Sequence, residues 1–227
     1  LTARLPLVAC YGGTFDPVHN GHLQAALDVC ERADCREVRL IPCHVPPHRA
    51  VPAASAAARQ AMLELALVGQ SQLRVDVREL QRDGPSYTVD TLLSLREEFG
   101  EGVALGWVLG ADAVAGLNGW RDWQRLPELA HLLILDRPGY PLPERGPVAR
   151  ELAPRLTTVV ADLHARPAGR VWCVRQAPLA VSATAVRETL AAGQSAAHLL
   201  PLPVWAYIKQ QRLYGYENDL GHKAESE

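Results

Sequence analysis

Apolar positions along the chain fall in short blocks separated by polar, glycine or proline breaks, and the spacing inside each block indicates what it forms. Leu5-Pro-Leu-Val-Ala-Cys10 is an apolar run that stops at Gly12-Gly13, as a buried strand would. His22 to Glu31 has helical spacing, and Val38-Arg-Leu-Ile-Pro42 reads as a second strand. Pro46-Pro47 cannot continue it, because proline has no amide hydrogen for a ladder. Ser55 is placed to cap a helix, and Arg59 to Val68 repeats at helical spacing. Leu73 to Val77 alternates as a strand. Thr88 to Phe99 predicts a helix with Val89, Leu92, Leu93 and Leu95 on one broad face, followed by a strand over Val103 to Leu109. Ala111 to Leu117 predicts a short helix and His131 to Leu135 a strand. Pro138 to Pro154 is dense in proline and glycine and reads as an excursion with little regular structure. Val171 to Val174 is the last strand. Ser182 opens a helix over Ala183 to Ala192 that Gly193 stops, and Pro203 to Leu213 predicts the final helix.

Strands that alternate with helices predict an α/β fold: a doubly wound parallel sheet with helices on both faces and a small C-terminal helical portion. The expected division is one domain over residues 1–214, with 182–214 as its helical end, and a polar tail over 215–227 that frays. In such sheets ligands lie beyond the carboxyl ends of the strands, where strand order reverses. Composition narrows the function classes. The chain is 48% hydrophobic and 21% charged with a net charge of -2. That supports one sizeable core and lacks the basic excess of a nucleic-acid binder. No apolar stretch approaches the roughly 20 residues that span a bilayer, and the start lacks the apolar block of a secretory signal. Five cysteines, odd in number and scattered, do not form a disulfide framework. A cytoplasmic location is expected, with no membrane and no nucleic-acid partner.

The candidate chemistry lies just after the strands. Gly12-Gly-Thr-Phe-Asp-Pro-Val-His-Asn-Gly-His22 joins the first strand to the first helix. Its glycines expose amides to a close ligand, Thr14 adds a hydroxyl, and the helix start favours negative charge. His19 and His22, three apart, become neighbours on a helical turn and can donate to phosphate. It is neither a Walker A loop nor a GxGxxG fingerprint, since it has no Gly-Lys-Ser/Thr ending. A bland strand-to-helix turn with two surface histidines is the simpler reading, and a metal held by His19, His22 and Asp16 is a further one.

Three other places carry similar chemistry. Pro46-Pro47 would stiffen His48 and Arg49, a pair suited to phosphate, although Cys43, His44 and His48 imitate a zinc cluster. Ser86-Tyr-Thr88 at a helix start offers amides and hydroxyls to a carboxylate, while Gly110-Ala-Asp112 closes an apolar strand with an acceptor for a ribose. Trp120 is either a stacking platform or core, and Trp123 reads as structural. Ser182, Thr184 and Arg187 open a second phosphate-friendly helix, with Ser182 equally suited to a plain cap.

The first loop, together with Ser182-Ala-Thr-Ala-Val-Arg187, resembles the paired signatures of the HxGH nucleotidylyltransferases, with Ala183 where a serine is commoner. Within them the chain is most similar to the bacterial nicotinate-nucleotide adenylyltransferases. Pro46-Pro-His-Arg49, Pro85-Ser-Tyr-Thr88, Gly110-Ala-Asp112, Trp120 and Arg137-Pro-Gly-Tyr140 carry that likeness from about Leu7 to about Tyr214. Arg49 stands where many members have lysine, and Asp136 where some carry a basic residue. The resemblance implies a Rossmann-like sheet, ATP with Mg2+, and transfer of AMP to nicotinate mononucleotide by direct attack. It implies His19, His22 and Arg187 as catalytic residues. Gly12, Gly13, Thr14, Phe15, Gly110, Asp112, Ser182 and Thr184 would complete the ATP side, and His48, Arg49, Thr88, Trp120 and Arg137 the mononucleotide side. No metal ligand of the chain's own is implied. A phosphopantetheine adenylyltransferase is the nearest rival, and a non-catalytic nucleotide sensor on the same fold is the rival of another class.

Overall fold

Six strands form one sheet among the described residues, and every pairing in it is parallel. They are β1 (Leu7–Gly13), β2 (Glu37–Pro42), β3 (Leu73–Val75), β4 (Ala104–Gly110), β5 (His131–Leu135) and β6 (Val171–Val174), in the spatial order β3-β2-β1-β4-β5-β6. The coordinates are a computed structural model, and they describe residues 4–47, 50–175 and 181–216. The chain winds outward from β1 through β2 to β3, then returns to place β4 on the other side of β1. The order therefore reverses between β1 and β4, and in sheets of this kind the ligand crevice lies beyond the carboxyl ends of those two strands.

Nine helices accompany the sheet among the described residues: α1 (Asn20–Arg32), α2 (Ala56–Ala66), α3 (Thr88–Phe99), α4 (Ala111–Val114), α5 (Leu126–Leu129), α6 (Gly146–Leu152), α7 (Ala161–His164), α8 (Ala183–Ala191) and α9 (Leu202–Gln211). Alternation along the strands divides them between two layers. Leu7 and Ala9 of β1, Val108 of β4 and Leu133 of β5 face a core shared with α1, α2, α8 and α9. Val8, Cys10, Leu105 and Leu132 face the opposite core, which holds Val89, Leu92 and Leu95 of α3, Leu126 of α5 and Val148 of α6. Both faces are thus covered, which is why the strands read as near-continuous apolar runs rather than as alternating ones. None of the described helices is long and apolar enough to cross a membrane.

The expected doubly wound sheet is present, and the differences from the sequence expectation are local. Residues 138–154 are not all irregular, since α6 lies among them. Pro147 sits in the first turn of α6, where a helix has no use for the missing amide hydrogen, so proline density there does not exclude a helix. β3 ends at Val75 instead of Val77. Asp76 Oδ1 accepts the Arg78 amide at 3.1 Å, which turns the chain out of the ladder. Arg78 and Arg39 then share the Asp76 and Glu98 carboxylates, tying β2 and the end of β3 to α3. The tail over 217–227 lies outside the described residues.

His131, at the start of β5, is fully buried. Its Nε2 donates to the Arg166 carbonyl and its Nδ1 accepts the Arg170 amide, each at 3.0 Å, so the neutral ring is fully satisfied. Burial pushes its pKa down to about 4, with the neighbouring Arg166 and Arg96 charges adding to the shift. A histidine with a lowered folded pKa contributes stability above its unfolded value of about 6.5, and that contribution is lost as pH falls toward 4. Chemical unfolding should therefore show the chain losing on the order of 2 kcal/mol between pH 7.5 and 5 on account of His131. His131→Gln should lose correspondingly less over the same interval, and equal losses in both proteins would contradict this reading.

Candidate active site

The crevice is built on the loop that leaves β1. Gly12 is required by its neighbour across the sheet, since a Cβ there would lie 2.6 Å from the Trp107 indole of β4. At Gly13 the same atom would lie 3.0 Å from the Phe15 ring. Phe15 has a left-handed backbone (φ 49°), and its ring is buried with edges toward Tyr11 and His22 at centroid distances of 5.7 and 5.0 Å. Its side chain is core, so only its backbone can meet a ligand.

Donors from distant parts of the chain hold this loop from behind. The Thr14 carbonyl accepts Nη1 of Arg59, a fully buried residue of α2, at 2.8 Å. The Asp16 carboxylate, also buried, accepts the Ala53 and Ala54 amides at 2.7 and 3.0 Å and the Tyr214 hydroxyl at 2.8 Å. The Asp16 carbonyl accepts Nη1 of Arg187 at 2.7 Å. With its back face satisfied in this way, the loop leaves its inner side to the crevice.

His19 is the N-cap of α1 and His22 lies in its first turn, so the three-residue spacing does make them neighbours. Their rings stack with centroids 3.7 Å apart and planes 22° from parallel. His22 Nδ1 accepts the His19 amide at 3.3 Å, which puts the proton of a neutral His22 ring on Nε2. His19 is buried, and its Nδ1 has no hydrogen-bond partner. That nitrogen sits against the first turn of α1, 3.1 Å from where a Cβ on Gly21 would stand. The amide end of a helix favours a lone pair over an N–H there, which leaves Nε2 of His19 as the donor. Gly21 also makes room for Val181, whose methyl would be 2.7 Å from that Cβ. Burial, and then the positive charge of Arg137, push the His19 pKa down to about 4. The ring is therefore a neutral donor at pH 7.

The far side of the crevice comes from the ends of β4 and β5. Asp112, in the first turn of α4, pairs with Arg137 at 3.5 Å, and a Cβ on Gly110 would collide with the Asp112 carboxylate. The two groups that the sequence divides between the nucleotides thus touch. Thr88 is the first residue of α3. The Arg121 guanidinium lies 4.9 Å over the Tyr87 ring and 3.5 Å from Asp90, which brings the segment carrying Trp120 against the start of α3. Trp120 and Trp123 are both partly buried against the α3-side core. The loops after β2 and before α3 are stitched together as well. Ser86 Oγ accepts the His44 amide at 2.9 Å, the Ser86 amide donates to Val45, and His44 Nδ1 donates to the Arg82 carbonyl at 3.0 Å. Behind them the buried Glu79 carboxylate accepts the Thr91 hydroxyl at 2.6 Å.

At α8, Ser182 is the N-cap, its hydroxyl accepting the Ala185 amide at 3.1 Å, so the plain capping role is realised. Thr184 Oγ1 accepts Nη2 of Arg187 at 3.3 Å. Arg187 thereby joins α8 to the β1–α1 loop. His48 and Arg49 lie outside the described residues. The metal reading of the first loop is not supported by the donors: the Asp16 oxygens face the Ala53, Ala54 and Tyr214 donors, and among the described residues no group of three or more His, Cys, Asp or Glu is arranged to hold an ion. Sequence reasoning missed Arg59, Tyr214 and the His44 clamp. The one signal was an arginine at an apolar position of a helix, Arg59, beside Met62 and Leu63.

Comparisons with known proteins bear on the family and the fold. A family model described as cytidylyltransferase-like matches residues 10–189. A relative from Cellvibrio japonicus (strain Ueda107), named "Probable nicotinate-nucleotide adenylyltransferase", is 44% identical over 211 residues, covering 92% of this chain and 99% of its own. One of the same name from Aeromonas salmonicida (strain A449) is 46% identical over 207 residues, covering 91% and 96%. Among solved structures, the Plasmodium falciparum nicotinic acid mononucleotide adenylyltransferase complexed with NaAD shares the fold at a TM-score of 0.72 and 15% identity, covering 93% of this chain and 98% of that one. With a family model spanning most of its length and relatives this similar from end to end, the chain belongs to the nicotinate-nucleotide adenylyltransferase family.

Proposed function

We propose that the chain transfers the adenylyl group of ATP to nicotinate mononucleotide, giving nicotinate adenine dinucleotide and pyrophosphate. The observation that carries this reading is the stacked His19–His22 pair at the N-terminus of α1, set where the strand order reverses and beside Arg137. Two imidazole N–H donors, a helix start and glycine-rich backbone converge there, and all of them favour an anion. The phosphate of the mononucleotide is already a nucleophile. It attacks the α-phosphorus of ATP directly, pyrophosphate leaves from the opposite side, and no covalent intermediate with the enzyme forms. Catalysis then consists of alignment and of stabilising charge on the transferring and leaving phosphates. His19 and His22 do this from the loop.

Arg187 belongs to the same machinery. One of its terminal nitrogens anchors the Asp16 carbonyl, and the guanidinium brings positive charge to the phosphate end of the crevice. Gly12, Gly13, Thr14 and the Phe15 backbone border the ATP phosphates, Ser182 and Thr184 close that border from α8, and Gly110 and Asp112 meet the adenosine ribose. On the acceptor side, Thr88 and the amides at the start of α3 receive the nicotinate carboxylate, Trp120 stacks on the pyridine ring, and Arg137, with His48 and Arg49, attends the mononucleotide phosphate. ATP enters as its Mg2+ complex. The ion would neutralise charge on the phosphate oxygens. The reaction unit is residues 1–214.

The direct test is pyrophosphate release from MgATP with nicotinate mononucleotide, nicotinamide mononucleotide and phosphopantetheine as separate acceptors. Release with nicotinate mononucleotide, together with a dinucleotide product, is expected. Release with phosphopantetheine alone would overturn the reading, and ATP binding without release by any acceptor would point to a nucleotide sensor. His22→Ala should lower turnover by about 10²–10³-fold, the scale of one lost transition-state donor, while leaving the unfolding midpoint close to that of the parent. Near-normal turnover in the purified variant would remove His22 from the chemistry.

A further inference from the structure

The C-terminal end of the chain reaches the phosphate loop, and it does so through a costly backbone. After α9, Arg212 (φ 49°) and Tyr214 (φ 60°) both take the left-handed conformation, followed by Gly215 (φ 72°). For residues other than glycine this conformation is disfavoured by steric crowding, so it persists only where the surroundings impose it. The turn carries the Tyr214 ring back beneath the β1–α1 loop, where its hydroxyl donates to Asp16 Oδ1 at 2.8 Å. Tyr216 anchors the turn on the other side, its ring meeting Trp205 of α9 edge-on at 5.0 Å.

Asp16 sits midway between Gly13 and His19, and it is almost wholly buried. A carboxylate in that position needs its donors, because a buried charge without hydrogen bonds is strongly disfavoured. Two of them, the Ala53 and Ala54 amides, come from the segment just before α2. The third is Tyr214. Burial, and then the Asp16 charge, push the Tyr214 pKa up, so the phenol keeps its proton and stays a donor across the working pH range. Arg187 meanwhile holds the carbonyl of the same residue. Thus the side chain and the backbone of Asp16 are fixed by two elements of the C-terminal portion, the turn after α9 and α8.

We propose that Tyr214 is a positioning residue for the ATP side of the site. Its hydroxyl sets Asp16, and Asp16 sets the path of the loop that presents the His19 and His22 donors to the phosphates. This rests on the proposed adenylyl transfer, but it concerns ATP binding and is measurable without an acceptor. Tyr214→Phe removes one hydroxyl and keeps the ring packing. The ATP Kd, measured by calorimetry with MgATP alone, should rise about tenfold, the scale of one hydrogen bond to a charged group. The KM for ATP should rise with it, while the KM for nicotinate mononucleotide stays within about twofold. Tyr216→Phe, in the same turn but without a bond to the loop, should leave both constants unchanged. In the parent chain, MgATP should slow hydrogen exchange at the Tyr216 amide, which closes the turn on the Leu213 carbonyl; this readout needs no variant. An unchanged ATP Kd in Tyr214→Phe, equal rises for both substrates, or no ATP-dependent protection of Tyr216 would overturn the proposal. Failure of the parent to form the dinucleotide would count against the proposed reaction instead, with the calorimetric comparison still deciding the role of Tyr214.

Discussion

A buried carboxylate organises the working end of this molecule. Asp16 lies in the loop between β1 and α1, and its oxygens accept two backbone amides and a phenol from segments far away in sequence. Once that carboxylate is satisfied, the loop has little freedom. Its backbone is pinned again on either side of the acid, at Thr14 by Arg59 and at the Asp16 carbonyl by Arg187. Leaving any of these groups unpaired in the interior is costly, which holds the loop on its path. It also explains why α8, α9 and the turn after them pack over the same face of the sheet as α1 and α2. They supply the groups that close the back of the loop.

The front of the loop inherits its chemistry from the sheet. The reversal of strand order between β1 and β4 opens the crevice, and Gly12 lets the Trp107 indole pack close to β1. α1 starts there with the two stacked imidazoles, of which His19, its pKa pushed down to about 4 by burial and then by Arg137, is neutral at pH 7. Lysine would add a fixed charge here. An imidazole responds instead to its surroundings: burial and then the Arg137 charge lower the His19 pKa, and an anion beside the ring would raise it.

How much of this the sequence carries depends on how local the physics is. Thr88–Phe99, His131–Leu135 and Val171–Val174 are legible to the residue, since caps and apolar spacing decide them. The loop glycines and the His19–His22 spacing are legible for the same reason. Ser182 shows the limit of such reading, because cap and phosphate ligand have the same local signature and the structure displays the cap. α6 was hidden because Pro147 occupies a first turn, where proline is permitted. Asp16 was visible as an acid in a glycine-rich loop, yet its donors come from residues 53, 54 and 214, and nothing in the local pattern points to them. Arg59, the His44–Ser86 stitch and the Arg121–Tyr87 contact are hidden for the same cause: each joins segments that only the folded chain brings together.

The proposed chemistry requires His19 to be a buried, neutral donor to an anion. Nuclear magnetic resonance titration of its ring, in the free chain and with a non-hydrolysable ATP analogue, measures that directly. The free ring should titrate near pH 4, and the midpoint should move upward when the analogue binds. A free His19 that titrates near the ordinary imidazole value of about 6.5, or a midpoint indifferent to the nucleotide, would contradict it.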